Sequence, residues 1–558
     1  MTNKAIASNF KLLGQIMEIY DDDSFKIKSY LNASRTIEKL PVELASIPED
    51  KIFSIAGIGK AIGSKIIEQL QTETFKVLED YITKTPSGII EMLRIKGLGP
   101  KKIATIWNDL EIETIGELLY ACNENRLMLY KGFGEKTQNN IREAIEFYLA
   151  SKGSFLFSEI ENAATAFDDY LKKTFANYTF LLSGDFRQNA ITIEKLVWVS
   201  NAPENIIQEI ITANNFELIS KENEVFVLKT PTNITIHFIQ NKKENLFNKS
   251  FQLSCSESFY DEFAKKFPAI NTNDYNSDSA IFSENNIAYI PYYLREDIKW
   301  IEVAQKNALP KVIEPKDIKG VIHTHSKWSD GANTLSEMAE SAKAEGFEYL
   351  VISDHSQTAV YANGLQDRRI AEQHKEIEEL NQSLAPFKIF KSIESDILNN
   401  GHLDYTENIL KNFDLVIASV HSNLKMNEEK AMERLIKAIE NPYTNILGHM
   451  TGRLLLSRAG YPVNHKKIID TCAANNVVIE LNANPRRLDI DWRWIDYALD
   501  KKVLISIDPD AHSTKGIKDI RYGVLAAQKA GVTAKENLSS FSLQEMESFI
   551  QKQKEKQP

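Results

Sequence analysis

Ten histidines occur in the 558 residues, and six of them follow short apolar runs of the kind that form buried strands. They are His323 and His325, His355, His421, His449 and His512. Asp330, Glu394 and Asp510 occupy the same kind of position. Imidazole nitrogen and carboxylate oxygen suit zinc, manganese or iron, and no cysteine stands among them. Nine such groups exceed the needs of one ion and suit two or three divalent ions. Any one of these histidines could equally be a packed or surface residue. Six at strand ends are poorly explained that way. His237, His374, His402 and His465 lack the placement and read as structural or surface residues.

Ligands this far apart in sequence need a fold that gathers strand ends. After Pro315 the chain alternates strand and helix: KGVIH, YLVIS, KIFKSIE, DLVIASV, NILG, VVIEL and VLISI read as strands with helical patterns between them. Such alternation predicts a parallel sheet or barrel. In a βα barrel the strand C-termini share one rim, where residues from every strand converge. Arg453, Arg458 and Arg487 lie in the same third of the chain, and their planar guanidinium forks suit phosphate. Glu480 and Asn482 end the sixth strand and are placed to contact substrate or to orient ligands.

HTHSKWSDG, SDHS, ESD, SVHS, GH and DPDAH together resemble the PHP (polymerase and histidinol phosphatase) metal-dependent phosphoesterases, over about residues 316 to 558. The resemblance implies a distorted seven-stranded (β/α) barrel with a trinuclear site. His323, His325, Glu394 and Asp510 would hold one ion and carry the catalysis. Asp330, His355 and His512 would hold a second ion, and Glu394, His421 and His449 a third. Ions held this way would supply a water-derived nucleophile and neutralise phosphate charge.

Near the start, three segments share a glycine pivot: IAGIGKAIGSKI, IKGLGPKKIATIW and YKGFGEKTQNNI. The pairs Gly57 and Gly59, Gly97 and Gly99, and Gly132 and Gly134 come shortly after the apolar Ile55, Ile95 and Tyr130 and precede a helical pattern. Glycine lets backbone turn tightly and come close to a phosphate, and a helix start offers free N–H groups. Lys60, Lys65, Lys96, Lys101, Lys102, Lys131 and Lys136 add local charge. The pattern looks like helix-hairpin-helix DNA binding, which grips backbone without reading sequence. FKIKSYLNASRTIEKL resembles the lyase-like N-terminal domain of family X DNA polymerases. The whole order resembles bacterial family X polymerases with a C-terminal PHP domain.

The middle departs from that family. TFLLSG, LVWVS, VFVLK and ITIHFIQ alternate as strands of a mixed α+β unit, and residues 267–286 read as a loop or inter-domain segment. Polymerases of this family carry Gly-Ser, then an Asp-x-Asp pair and a third Asp, which together hold Mg²⁺. Here Asp185 follows Gly184, Thr192 and Glu194 stand for the pair, and His237 stands for the third. Those groups do not replace three hard carboxylates. The expectation is a degenerate palm without polymerase activity; Asp168 and Asp169 fall in a helical pattern instead.

Composition is that of an ordinary globular chain: 43% hydrophobic, 26% charged, formal net charge −11. No apolar run reaches the roughly 18–20 residues of a membrane span, and the start shows no signal-peptide pattern. Three distant cysteines form no disulfide framework and fit a reducing compartment. Three regions are expected: helical hairpins over 1–150, a degenerate palm, thumb and linker over 151–315, and the PHP barrel over 316–558. The expected protein is monomeric, cytoplasmic and nucleoid-associated, with no membrane partner. It would act on gapped, nicked or 3′-ended DNA as a 3′–5′ exonuclease, or process abasic sites or 3′ ends. The alternatives are a working gap-filling polymerase with a PHP exonuclease, a small-molecule phosphatase like histidinol phosphatase, and a DNA-binding scaffold.

Overall fold

Apolar, β-branched runs that are buried on both faces make parallel strands, and the last third of the chain supplies seven of them. The computed structural model describes residues 1–40, 42–150 and 153–557. Its strands are β1 (Phe155–Leu156), β2 (Phe180–Ser183), β3 (Thr192–Ile193), β4 (Lys195–Ser200), β5 (Glu217–Glu222), β6 (Val225–Lys229) and β7 (Thr235–Gln240). The second set is β8 (Gly320–Thr324), β9 (Tyr349–Ile352), β10 (Lys388–Asp396), β11 (Leu415–Ser419), β12 (Ile446–Leu447), β13 (Val478–Asn482) and β14 (Ile505–Asp508).

Strands β8 to β14 lie side by side in chain order, all parallel. The sheet nearly closes on itself. A bridge joins Thr324 to Ala511, and the His325 N–H donates to the Ala511 carbonyl at 2.9 Å. All seven candidate strands of the sequence therefore form one distorted barrel.

The central sheet runs β2-β4-β7-β6-β5, with only β4 and β7 parallel. The exposed edge strand β5 (ELISKE) lacks an alternating pattern and escapes sequence reading. The helix Phe157–Thr174 covers the sheet, and Phe167 meets the rings of Trp198 and Phe238 edge-on. Asp168 lies buried in that helix, where it accepts from Trp198 Nε1 at 2.9 Å and Lys172 Nζ at 2.6 Å.

The stretch read as a loop over 267–286 folds instead. Ile270, Tyr275, Ile281 and Phe282 are buried with Phe251, Phe259 and Phe263, and Ser277 caps the helix Asp278–Ser283. Aromatic spacing outweighs the polar composition there. Its centre is a buried Arg295, which donates to both oxygens of Asp278 at 2.9 and 2.6 Å.

The chain divides into two units, residues 1–123 with 127–148, and 124–126 with 149–558. The first is all helical. Its helices Asn3–Ile19 and Ser24–Glu38, capped by Thr2 and Asp23, bury Ile6, Phe10, Leu13, Ile27 and Ile37 in one core. Among the described residues no helix is long and apolar enough to cross a membrane.

Asp168 therefore reads as a structural carboxylate. Asp168→Ala would leave the buried indole N–H without a partner and should destabilise the protein by about 1–3 kcal/mol. Asp168→Asn keeps an acceptor and should cost less. Denaturant midpoints of the two variants check the difference.

Candidate metal centre and nucleic-acid interface

Six of the seven barrel strands deliver candidate ligands at or just past their C-terminal ends, β13 supplies Glu480 and Asn482 behind them, and β8 needs a local distortion to do so. Its register against β9 shifts between Val321 and Thr324, and His323 has φ of 58°. Asp510, just past β14, has φ of 52°. Left-handed conformations in non-glycine residues are strained and persist where the surroundings force them. Here they turn two side chains into one pocket.

The pocket centres on Glu394, at a buried position on β10. Its carboxylate lies 3.3 Å from His323 Nε2, 3.7 Å from His325 Nε2 and 2.9 Å from His355 Nδ1. His421 Nε2 and His449 Nε2 are each 3.0 Å away. Asp510 approaches His325 Nε2 at 3.1 Å and His323 Nε2 at 3.5 Å. Asp330 stands 3.5 Å from His355 Nε2 and 3.4 Å from His512 Nε2. All nine residues singled out in the sequence thus face one pocket.

Groupings within 4.8 Å include His325, Asp330, His355 and His512; His323, His325 and Asp510; and His355, Glu394 and His421. His325 and His355 each sit in two of these, so the clusters share walls. The partition implied by the family resemblance shared Glu394 between two ions and gave His325 and His355 to one ion each.

A set of acids and imidazoles this close needs positive charge between its members. Burial, with His512 and His355 beside it, pushes His325 down to about 3, and burial with Arg487 nearby does the same to His449. Those rings are neutral, with lone pairs to give. Burial opposes ionisation of Asp330, Glu394 and Asp510, yet the surrounding histidines hold all three well below the usual carboxylate range.

Several donor atoms are buried and lack a hydrogen-bond partner: His323 Nε2, His325 Nδ1, Asp330 Oδ2, Glu394 Oε2, His449 Nδ1 and His512 Nε2. Buried polar atoms without partners are rare unless an ion or water serves them. At zinc–ligand bond lengths near 2.1 Å, tetrahedral ligand atoms lie about 3.4 Å apart. The spacings here match, so the residues fit divalent ions.

Outer partners fix the rings. His323 Nδ1 bonds Glu480, whose other oxygen accepts from the His449 N–H at 2.6 Å. His421 Nδ1 donates to Asp396 at 2.5 Å, and His512 Nδ1 to the Asp510 carbonyl at 3.0 Å. In all three the Nε2 atom is left facing the pocket, the arrangement that tunes metal ligands. Asn482 Nδ2 donates to Asp510 at 3.1 Å. Asp396 had no role in the sequence reading, although it stands two residues from Glu394 on the same face of β10. Asp354, equally unread, accepts from the Ser326 N–H at 2.8 Å and Gln373 Nε2 at 2.6 Å, organising the loop after β8.

Of the three arginines expected at phosphate, the structure brings only Arg487 to the site. It is 4% exposed, with Nε 3.6 Å from Asp510. Arg453 instead donates to the Arg487 carbonyl at 3.0 Å and to Asp491 at 2.5 Å, and Arg458 donates to the Gly452 carbonyl at 2.7 Å. Both satisfy loop backbone, which a sequence pattern does not show.

In the helical unit the three pivots share one geometry. Gly57, Gly97 and Gly132 have φ of 86°, 91° and 95°. Between the glycines, Ile58, Leu98 and Phe133 are buried as plugs. Gly59 and Gly99 cap the helices Lys60–Thr72 and Pro100–Asn108 without a side-chain acceptor, and Gly134 precedes Glu135–Ala150. A Cβ on Gly59, Gly99 or Gly134 would meet nothing within 4 Å. Packing inside the protein therefore does not explain these glycines. They leave room for an outside group to come close to the N–H donors of the helix start. Lys60, Lys96, Lys101, Lys131 and Lys136 are exposed around the turns, while Lys65 and Lys102 are half-buried.

The palm positions show no such convergence. Asp185 lies in the turn Gly184–Arg187 and Thr192 in β3; Glu194 is exposed, and His237 sits mid-β7 between Val197 and Val227. Strands β2, β4, β6 and β7 carry no Asp or Glu. Among the described residues no metal-ligand group lies on that sheet.

Comparisons with known proteins agree with this layout. A helix-hairpin-helix domain model matches residues 1–75, and a SAM-like helix-hairpin-helix tandem matches 89–146. A PHP domain model matches 322–484. The chain thus joins helix-hairpin-helix DNA-binding domains to a PHP domain. Over 99% of its length it is 29% identical to the whole of the DNA polymerase/3′-5′ exonuclease PolX of Bacillus subtilis, so its full domain order is similar to that protein's.

A probable phosphatase of Caldanaerobacter subterraneus is 28% identical over 29% of this chain and 60% of its own length. One from Thermoanaerobacter sp. is 26% identical over 38% of this chain and 86% of its own. These phosphatases match only the PHP part.

Two expectations follow. Asp396→Asn should weaken metal binding about 10–100-fold, read by metal content after dialysis against a graded chelator. Gly99→Ala, at a φ of −99° with open space around it, should leave stability unchanged or raise it by about 0.4–1 kcal/mol. The same change should weaken DNA binding, measured by fluorescence anisotropy at fixed salt.

Proposed function

We propose that this protein is a metal-dependent DNA phosphodiesterase that trims 3′ ends or processes abasic sites in repair. We further propose that its palm-like centre does not polymerise. The observation that carries the first part is the buried pocket of nine candidate ligands centred on Glu394, several of whose donor atoms lack a hydrogen-bond partner. The second part rests on the absence of carboxylates from strands β2, β4, β6 and β7. On this reading the region up to about residue 150 grips DNA, the region to about 315 is a frame, and the remainder is the reaction site.

His323, His325 and Asp510, His355 with Asp330 and His512, and Glu394 with His421 and His449 would hold two or three divalent ions. Such ions, when bound, supply a nucleophile from water at neutral pH and positive charge for the phosphate. The chain's own groups do the rest. Glu480, Asp396 and the Asp510 carbonyl keep the ring Nε2 atoms turned inward. Arg487 adds a fixed positive charge beside Asp510, where a phosphate oxygen would gain a charge-assisted hydrogen bond. The exposed lysines and open glycine turns bind backbone, so recognition is independent of sequence and weakens steeply with salt.

The Bacillus subtilis relative is named for polymerase as well as exonuclease activity, so one experiment must separate the two. Primed DNA labelled at its 5′ end is incubated with Mn²⁺, with and without dNTPs, and products are sized. Shortening in both reactions is expected, and it should disappear when His323 and His325 are both replaced by Asn. Extension with dNTPs would show that the palm retains a ligand set other than Asp185, Thr192, Glu194 and His237.

A further inference from the structure

Glu159 lies in the first turn of the helix Phe157–Thr174, on the central domain. Its two oxygens serve two different partners. Oε2 accepts the Leu156 N–H at 2.9 Å, closing the helix start, and Oε1 accepts from Arg486 Nη2 at 2.8 Å. Arg486 immediately precedes the arginine that reaches the metal pocket. The loop carrying both is held on its other sides. The Asn484 side chain accepts the Arg486 N–H at 3.0 Å, and the Arg486 carbonyl accepts the Leu455 N–H at 2.6 Å.

The helix start is itself pinned by the segment that would carry the polymerase carboxylates. Leu156 pairs with Thr192, and the Phe157 N–H donates to the Ile191 carbonyl at 3.2 Å. Phe157, Ile191, Pro485 and Leu488 line a narrow cleft of about 20 Å³ where this corner meets the arginine loop. A carboxylate on one domain is therefore fixed relative to the barrel, and its ion pair ends one residue from Arg487.

We propose that the central domain acts through Glu159 and Arg486 to position Arg487 against the phosphate in the PHP site. The inference rests on the reading above, in which Arg487 meets that phosphate. A guanidinium gives its second hydrogen bond only in the right plane, so a small rotation of its loop costs binding. The Glu159–Arg486 pair is partly exposed, with side-chain exposures of 33% and 14%. Pairs of this kind add little to stability. Its effect should appear in the reaction and not in the melting temperature.

The test uses the full chain with Mn²⁺ and hydrolysis of bis(p-nitrophenyl) phosphate. Glu159→Gln, which still accepts the Leu156 N–H, and Arg486→Gln should each raise KM about fivefold, within the coupling that neighbouring residues show. Arg486→Lys should recover part of the loss. Melting temperature and metal content should not change. In an Arg487→Lys background, Glu159→Gln should add nothing, because the group it positions is gone.

An unchanged KM in Glu159→Gln and Arg486→Gln, beside a raised KM in Arg487→Lys, would refute the positioning role and leave the phosphate role standing. Equal effects of Glu159→Gln in both backgrounds would refute it too, since the coupling would run elsewhere. An unchanged KM in Arg487→Lys would overturn the phosphate role and the positioning role together.

Discussion

Glu394 lies within 2.9–3.7 Å of five imidazoles in a pocket closed to solvent, with Asp510 and Asp330 beside the same rings. Buried charge is tolerated only when it is paired, and here carboxylates and histidines can pair only by sharing cations. Protons serve in the bare protein. A divalent ion would replace several of them at once, which would make metal binding and the ionisation of the pocket one equilibrium. The rest of the barrel reads as a means of keeping this cluster dry and correctly aimed. The strands below it bury mostly apolar side chains, the register shift in β8 swings His323 inward, and Glu480 and Asp396 hold rings from outside. The strain at His323 and Asp510 is the cost of bringing ligands from both ends of the sheet to one point.

Much of this was legible in the sequence, because strand ends in a parallel barrel are a one-dimensional code. Each apolar run names a strand, and the residue after it names a rim position. The residues that line the pocket and all seven strands could be read this way. Three kinds of feature could not. Side chains whose partner is a loop carbonyl, such as Arg453 and Arg458, look identical in sequence to arginines that meet a substrate. The stretch after Phe267 looked unstructured because polar residues outnumber apolar ones, while the few aromatics that decide its folding are spaced irregularly. The sharing of His325 and His355 between ligand groups is a property of distance alone.

The central domain carries a different lesson. The sequence shows no Asp-x-Asp pair in the matching region, and the structure shows what that segment contacts. Thr192, standing where a carboxylate would be, is part of a two-residue pairing that anchors the helix bearing Glu159. On the proposed reading, a strand without catalytic carboxylates anchors that helix.

The three glycine pivots repeat one backbone geometry within a single helical unit. Each contact of this kind is weak by itself, and joining them converts the second and third into intramolecular events at high effective concentration. Such attachment fails gradually. If all three pivots bind DNA as proposed, one would release and rebind while the others hold, and the protein would shift along a strand by small steps without dissociating. Residence on the DNA would then be governed by the number of grips engaged at once, and losing one would shorten the dwell time without abolishing attachment.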